Sequence, residues 1–227
     1  MNDAGGSGHK FDAYAAGYDA LVDRSIEASG ESKQYFLDYK LACLERIGAK
    51  PDEPVLDYGC GIGNLSACLA GRFHSVEGYD PSPESLKVAR QQAPTAVFHE
   101  STATIAERRF GLAVLSSVLH HIAPSERSRI LSEVRQKLAP GGRLVVFEHN
   151  PWNPVTRRAV AACPFDDDAI LLWPGELRQL FRATGYQDVR QDYIVFFPRA
   201  LAALRPLEPR LSWLFLGGQT MTIGTER

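Results

Sequence analysis

The sequence has few cysteines, no long apolar run and no block of charge of one sign. Its four cysteines, at positions 43, 60, 68 and 163, show neither the close pairs of a zinc site nor the density of a disulfide scaffold. No stretch approaches the roughly 18 apolar residues that a membrane span needs, and residues 1–10 lack an apolar signal core. We therefore expect a cytoplasmic protein with reduced thiols and no stable membrane insertion.

Positive and negative charges are also close to balance. The 25 Lys and Arg residues against 27 Asp and Glu residues give a net charge of −2, with no basic stripe. Proteins that bind nucleic acid carry a clustered basic surface, so this composition argues against nucleic acid as a partner. The 227 residues, 44% of them hydrophobic, suffice for one globular core with attachments. A small-molecule partner is the expectation that remains.

Strand-like and helix-like segments alternate between residues 54 and 186, which predicts a mostly parallel sheet covered on both faces. The closing strands, predicted at 189–197 and 219–225, have no regular helix between them, which favours antiparallel pairing at one edge. We therefore expect a doubly wound α/β fold with a seven-stranded sheet, an antiparallel edge strand and an N-terminal helical cover. Residues 1–53 would form the helical cap, and residues 54–227 a single α/β unit.

Local patterns set the expected ends of several elements. Apolar residues at three-and-four spacing predict a helix over 32–47, and Ser82 followed by Pro83 marks the start of another helix. Ser125 is the expected N-cap of the helix that Pro140-Gly141-Gly142 ends. The strands predicted before residue 150 are 55–58, 75–80, 96–100, 112–116 and 143–148.

A glycine-rich turn follows the first predicted strand, in the run Asp57-Tyr58-Gly59-Cys60-Gly61-Ile62-Gly63. Glycine lets the backbone approach a ligand closely, and the start of the following helix favours an anionic group. The dinucleotide pattern G-x-G-x-x-G would need a glycine where Asn64 stands, so this turn departs from it. A tight turn without a ligand is the alternative.

The second predicted strand ends in an acid, Asp80, nineteen positions after Gly61. A carboxylate at that strand tip accepts hydrogen bonds from both hydroxyls of a ribose. A helix-capping role is the alternative, but Ser82 already fits that role. Asp80 is therefore the principal candidate ligand, and Glu77, in the middle of the strand, is expected to be a bystander.

The run from Asp57 to Gly63 resembles motif I of the class I S-adenosylmethionine (SAM) methyltransferases. Segments 110–122 and 138–146 resemble the family's fourth-strand motif and its turn into the fifth strand. Segment 11–19, with Tyr14 and Tyr18, resembles the N-terminal helix of small-molecule methyltransferases of the quinone-biosynthesis type. The resemblance implies a Rossmann-like fold, SAM as cofactor and S-adenosyl-L-homocysteine as product. It implies these cofactor-binding residues: Tyr18, Asp57, Gly59, Cys60, Gly61, Asp80, Pro81, Ser101, Thr102, Ser116 and Ser117.

The catalytic candidates follow the fourth and fifth strands, whose ends should converge. His149 and His121 are the expected base or acceptor-orienting groups, with Glu148 third, since histidine transfers protons near neutral pH. A purely structural role for these side chains is the alternative. A metal cluster of His120, His121, Glu148 and His149 is disfavoured, because alkyl transfer from SAM usually needs no Lewis acid and adjacent histidines should point in different directions. We therefore predict no metal.

Two attachments, 151–173 and 198–218, are candidate substrate lids. The second is apolar and interrupted by prolines; a dimer surface, a weakly membrane-touching patch and a satellite core are its alternatives. The three aspartates 166–168 are expected to cap a helix or face solvent. We expect methyl transfer to O, C or N of a small aromatic or lipophilic metabolite. The rivals are another SAM-dependent reaction and an NAD-dependent oxidoreductase, which Asn64 disfavours.

Overall fold

The computed structural model describes residues 21, 24 and 26–227. The segment with Tyr14 and Tyr18 lies outside them. The strands are β1 Val55–Tyr58, β2 Val76–Tyr79, β3 Val97–His99, β4 Phe110–Ser116, β5 Leu138–His149, β6 Gln187–Ile194 and β7 Gln219–Thr225. The helices of the described residues are α1 Lys33–Arg46, α2 Asn64–Ala70, α3 Pro83–Gln92, α4 Pro124–Lys137, α5 Pro154–Ala161 and α6 Pro174–Ala183. Short 3-10 turns cover Glu27–Ser29, Thr102–Thr104, Leu119–His121, Pro164–Asp166 and Arg199–Arg210.

The seven strands form one sheet in the order β3-β2-β1-β4-β5-β7-β6. All neighbours are parallel except that β7 runs antiparallel to both β5 and β6. The predicted fold class is confirmed, and the antiparallel pairing is confined to one side of the sheet, where β7 lies just inside the edge strand β6. The strand order reverses between β1 and β4, which is where a doubly wound sheet opens a crevice for ligands.

The core forms two apolar layers, one on each face of the sheet. Alternate residues of β4 divide between them, with Ala113 and Leu115 facing one layer and Leu112 and Val114 the other. The first layer includes residues of α4 and α6, and the second includes residues of α1 and α2. Helix α1 therefore packs into the core of the α/β unit. No helix of the described residues is long and apolar enough to cross a membrane.

Several element boundaries differ from the sequence prediction, among them the starts of α4 and β5. Helix α4 begins at Pro124 with Ala123 as its N-cap residue, so the assignment of Ser125 as the cap is wrong. Proline suits the first helical position because its φ is already fixed near the helical value. Strand β5 begins at Leu138, before the expected residue 143, because Leu138 pairs with Phe110 across a register shift and Gly141 takes a φ of 80°.

A buried arginine holds the turn after β4. Arg127 of α4 has a side chain only 1% exposed, and its Nε donates to the carbonyl oxygens of Leu119 and Ile122 at 3.1 Å each. Its Nη2 donates to the carbonyl of Ile170 at 2.6 Å, and its Nη1 pairs with Glu176 at 3.0 Å. One guanidinium thus joins the turn after β4 to the segment that precedes α6.

We expect Arg127→Met to lower the free energy of unfolding by about 3 kcal/mol, because the carbonyl oxygens and Glu176 lose a buried charged donor. Urea denaturation of wild type and variant measures this difference. Arg72→Met is the matched control, since Arg72 pairs with Glu45 at 3.7 Å on the exposed surface and should change stability by less than about 1 kcal/mol. Equal midpoints for wild type and Arg127→Met would contradict the assignment.

Candidate active site

A cleft of about 930 Å³ opens at the carboxyl ends of β1, β2, β4 and β5. The turns that follow these strands form its wall, together with α1, α4 and the insert after β5. This is the crevice that the reversal of strand order produces. The predicted site residues that line it are Asp57, Gly59, Cys60, Gly61, Asp80, Pro81, Thr102, Ser116, Ser117, His121 and His149.

The glycine turn between β1 and α2 uses its glycines for different purposes. Gly61 has a φ of 52°, and a Cβ built on it would meet nothing within 4 Å. Its backbone therefore borders open space in the cleft, where a ligand can approach it. Gly63 has a φ of 84°, and a Cβ there would lie 2.8 Å from Ala89, so this glycine permits α2 to pack closely on α3. The turn has both ligand-facing and structural glycines.

Asp80 ties that turn to the end of β2. Its Oδ2 accepts a hydrogen bond from the Gly61 N–H at 2.8 Å, and its Oδ1 accepts one from the Ser82 N–H at 2.9 Å. The residue is 8% exposed and lines the cleft. Asp80 thus holds the turn while its carboxylate lines the cleft, at the strand tip where an acid can accept hydrogen bonds from a ribose.

Two buried charges lie deeper in the cleft. Asp57 at the end of β1 accepts a hydrogen bond from the Ser66 hydroxyl at 2.6 Å, and burial raises its pKa to about 6. Lys40 of α1 donates to the Ser116 hydroxyl at 2.7 Å, and burial lowers its pKa to about 8. Lys40 is not recognisable from the sequence as a site residue, because a lysine on an amphipathic helix is ordinarily exposed and no motif marks this one.

Among the described cofactor candidates, Ser101 is not on the cleft wall. Ser101 is exposed, and its hydroxyl accepts a hydrogen bond from the Ala103 N–H, so it caps the short turn Thr102–Thr104. It is absent from the described lining, whereas its neighbour Thr102 is part of it. Tyr18 lies outside the described residues.

Glu148 is fully engaged in structural contacts. It is 2% exposed, and its Oε1 accepts hydrogen bonds from the N–H groups of Leu119 at 2.7 Å and Val118 at 3.2 Å. Its Oε2 lies 2.7 Å from His120 Nδ1. Burial alone would raise the pKa of Glu148, but the contact with His120 lowers it below its ordinary value. Glu148 does not line the cleft, so it positions the turn after β4 and is no candidate for a base that touches the acceptor.

The adjacent histidines of that turn converge on one carboxylate. Asp166 Oδ1 lies 3.5 Å from His120 Nε2 and 3.3 Å from His121 Nε2. The expectation that adjacent histidines point in different directions is therefore wrong here. Asp166 is 8% exposed, so the expectation that this residue faces solvent is also wrong. Burial opposes protonation of His120, but Glu148 and Asp166 outweigh it and raise its pKa to about 9.

His149 completes the polar end of the cleft. Its ring centroid lies 5.0 Å from that of His120, and it is half-buried at the end of β5. Burial and the neighbouring His120 lower its pKa to about 4, so its imidazole is neutral at pH 7. A neutral imidazole has one nitrogen that accepts a hydrogen bond.

The two inserts have different positions. The first, 151–173, contributes Ala159, Val160 and Asp166 to the cleft. The second, 198–218, contributes none of the described lining residues. Its Glu208 is buried and accepts a hydrogen bond from the Tyr39 hydroxyl of α1. The same carboxylate accepts hydrogen bonds from the N–H groups of residues 196 and 197. This insert therefore packs against α1.

The strand order, the glycine turn after β1 and the buried acid at the end of β2 define the class I fold of SAM-dependent methyltransferases. Comparison with known proteins supports the same class, because the sequence pattern of the family described as "Methyltransferase domain" matches residues 31–200. The chain belongs to this family, whose members use SAM as cofactor.

Individual relatives support the same family. An uncharacterised methyltransferase of Synechocystis sp. is 32% identical over 140 residues, which cover 59% of this chain and 64% of the relative. The demethylmenaquinone methyltransferase of Beutenbergia cavernae is 34% identical over 121 residues, covering 51% and 50%. The chain thus spans less than two thirds of either relative. A SAM-dependent methyltransferase structure from Thermotoga maritima superposes with a TM-score of 0.70 at 16% identity, covering 97% of this chain and 100% of that chain.

Asp80→Ala should weaken binding of SAM and S-adenosylhomocysteine by about tenfold or more, because a buried ligand loses paired hydrogen bonds. Isothermal titration of the purified variant with S-adenosylhomocysteine measures this. Asp80→Asn is the companion variant: it keeps one acceptor oxygen for the backbone and should lose less affinity. Thermal melts establish that both variants are folded. Wild-type affinity in Asp80→Ala would mean that other residues hold the ribose.

Proposed function

We propose that this protein transfers a methyl group from SAM to O, C or N of a small aromatic or lipophilic metabolite. The observation that carries the proposal is the composition of a single cleft. One end has the glycine turn and Asp80, which suit the cofactor, and the other has neutral and apolar side chains beside histidines. Donor and acceptor would therefore meet within one enclosed space, as methyl transfer requires.

The residues at the cofactor end suit SAM by their shape, their hydrogen-bonding groups and their charge. The open space beside Gly61 admits a ligand close to the backbone, and the Asp80 carboxylate lines the same cleft at the strand tip where an acid accepts ribose hydroxyls. Lys40 lies at the base of the same cleft and supplies a positive charge suited to a carboxylate group. Bound SAM supplies an electrophilic methyl group on a positively charged sulfur.

The proposed acceptor end includes apolar side chains beside charged residues of α4. Its wall includes Phe36 and Leu37 of α1, Ile122 and Ile130 around the start of α4, and Val160 of the first insert. Such walls favour a lipophilic or aromatic molecule through burial of its apolar surface and exclude water from the reacting atoms. The name of the demethylmenaquinone methyltransferase, a relative of this chain, gives that protein a quinone acceptor, and this is consistent with the proposed class.

His149 is the proposed residue that orients the acceptor or takes its proton. It lines the cleft at the tip of β5, whereas Glu148 does not. Its neutral ring accepts a hydrogen bond from a hydroxyl, amine or acidic C–H of the acceptor. His121 also lines the cleft and is the second candidate, although its Nε2 faces Asp166.

SAM and S-adenosylhomocysteine should each raise the melting temperature, whereas NAD should not, because a ligand stabilises only the protein that binds it. The same protein, incubated with SAM and a panel of phenols, quinols, aromatic amines and aliphatic acids, should form S-adenosylhomocysteine and a methylated product detectable by mass spectrometry. Stabilisation by NAD alone would favour the oxidoreductase rival. Consumption of SAM without a methylated product would favour another SAM-dependent reaction.

With an acceptor from that panel, His149→Ala should lower kcat by about 100-fold while changing SAM affinity little, because the side chain acts on the acceptor. Steady-state kinetics and titration with S-adenosylhomocysteine separate the two effects. His74→Ala is the matched control, since His74 is exposed and remote from the cleft lining. An unchanged kcat in His149→Ala would remove this residue from the mechanism.

A further inference from the structure

We propose that His120, His121 and Asp166 form a binding site for a divalent transition metal, best suited to Zn²⁺, at the wall of the cleft. One ligand atom from each residue lies within 4.8 Å of the others, and all three residues line the cleft. Two imidazoles and one carboxylate are a ligand set that zinc uses, whereas Mg²⁺ and Ca²⁺ prefer oxygen alone.

Two of the three distances between the ligand atoms match the edges of a zinc coordination tetrahedron, and the third lies within 4.8 Å. Zinc binds histidine nitrogen at about 2.0–2.1 Å and carboxylate oxygen at about 2.0–2.2 Å, so two ligands in a tetrahedron lie roughly 3.3–3.5 Å apart. Asp166 Oδ1 lies 3.5 Å from His120 Nε2 and 3.3 Å from His121 Nε2. Both distances exceed the usual length of a charge-assisted hydrogen bond, about 2.7–2.9 Å.

The carboxylate oxygen at the centre of this arrangement is buried. Asp166 Oδ1 makes no hydrogen bond of acceptable geometry with any of the described residues. The nearby imidazoles of His120 and His121 offset part of the cost of burying this oxygen, but neither makes a hydrogen bond of acceptable geometry to it. A metal ion held between this oxygen and the two imidazole nitrogens would remove that cost.

The surroundings also hold the ligands as a metal site requires. A histidine that binds zinc through one nitrogen ordinarily donates its other ring N–H to a carboxylate, which fixes the tautomer. His120 Nδ1 lies 2.7 Å from Glu148 Oε2, and Glu148 is itself held by two backbone N–H groups. His121 Nδ1 faces Asp168 at 3.7 Å. Both histidines thus present Nε2 to Asp166, and His120 has the outer carboxylate partner at hydrogen-bond distance that a zinc ligand ordinarily has.

Two distant segments are fixed against each other to bring the ligands together. The histidines follow β4, whereas Asp166 belongs to the insert after β5. The Ile170 N–H donates to the His120 carbonyl at 2.8 Å, and Arg127 bridges the carbonyls of Leu119 and Ile170. This bracing holds the three ligands in place without a contribution from the metal, so the site is preorganised.

Three protein ligands and a cleft on the remaining side are the arrangement of a zinc site with an open position. The fourth ligand would come from the cleft, and an acceptor hydroxyl or thiol is the chemistry that fits it. His121 would then be a metal ligand and not a base. This use of the metal rests on the proposed function, but binding of the metal does not.

The test is metal binding by the full chain. After removal of metal with a chelator, the protein should bind one equivalent of Zn²⁺ in competition with a chromophoric chelator, and Co²⁺ should give the intense visible bands of tetrahedral coordination. His121→Gln and Asp166→Asn, near in shape to the residues they replace, should each weaken Zn²⁺ binding by about 100-fold or more. Loss of an outer partner alone costs about 10- to 100-fold, so loss of a ligand should cost at least as much.

Asp167→Asn and His74→Ala are the matched controls, because they change an exposed aspartate and an exposed histidine outside the ligand set. Both should bind Zn²⁺ as the wild type does. The proposal is overturned if the wild type binds no Zn²⁺, or if His121→Gln and Asp166→Asn bind it as tightly as the controls. The number of Zn²⁺ ions bound by the wild type is measured separately. That measurement tests the metal site even if a variant does not fold.

Titration with S-adenosylhomocysteine on the same preparations separates this proposal from the proposed function. Binding of S-adenosylhomocysteine without binding of Zn²⁺ would overturn the metal site alone. Binding of Zn²⁺ by a protein that neither binds S-adenosylhomocysteine nor methylates any acceptor would overturn the methyl-transfer proposal alone.

Discussion

The geometry of this protein depends on one constraint, the handedness of connections between parallel strands. Because such connections are right-handed, a reversal of strand order sends successive helices to opposite faces of the sheet. Between β1 and β4 this separation leaves a crevice at the carboxyl ends of the strands. The glycine turn, Asp80, the histidines after β4 and His149 all follow strands that end there. The cleft is thus a consequence of topology, and the local sequences determine only its chemistry.

Buried charged side chains hold the turns and the insert that form the walls of that crevice. Asp80 fixes the glycine turn, Glu148 fixes the turn after β4, and Arg127 joins that turn to the insert after β5. Each of these groups is costly to bury alone, and each has several hydrogen-bond partners that offset the cost. The same contacts that satisfy the charges therefore hold the walls of the cleft in place.

The two ends of the cleft differ in how they are built. The proposed cofactor end comes mainly from the turns after β1 and β2, with Lys40 of α1, and its glycine turn and acid match those of the methyltransferase family. The acceptor end draws on α1, on the turn after β4 and on the insert that contains Asp166. If a metal binds beside the acceptor, the insert after β5 supplies a ligand as well as a wall.

The sequence determined the fold class, the glycine turn and Asp80, because these depend on residues close together in the chain: strand and helix periodicity, glycine at positive φ and an acid at a strand tip. Ser82 as a helix cap followed for the same reason. Only the tertiary structure decided that Lys40 faces the cleft, that Glu148 is a buried clamp and that Asp166 meets two histidines. Those contacts join segments far apart in the chain, and their energy lies in desolvation and pairing that no local pattern records.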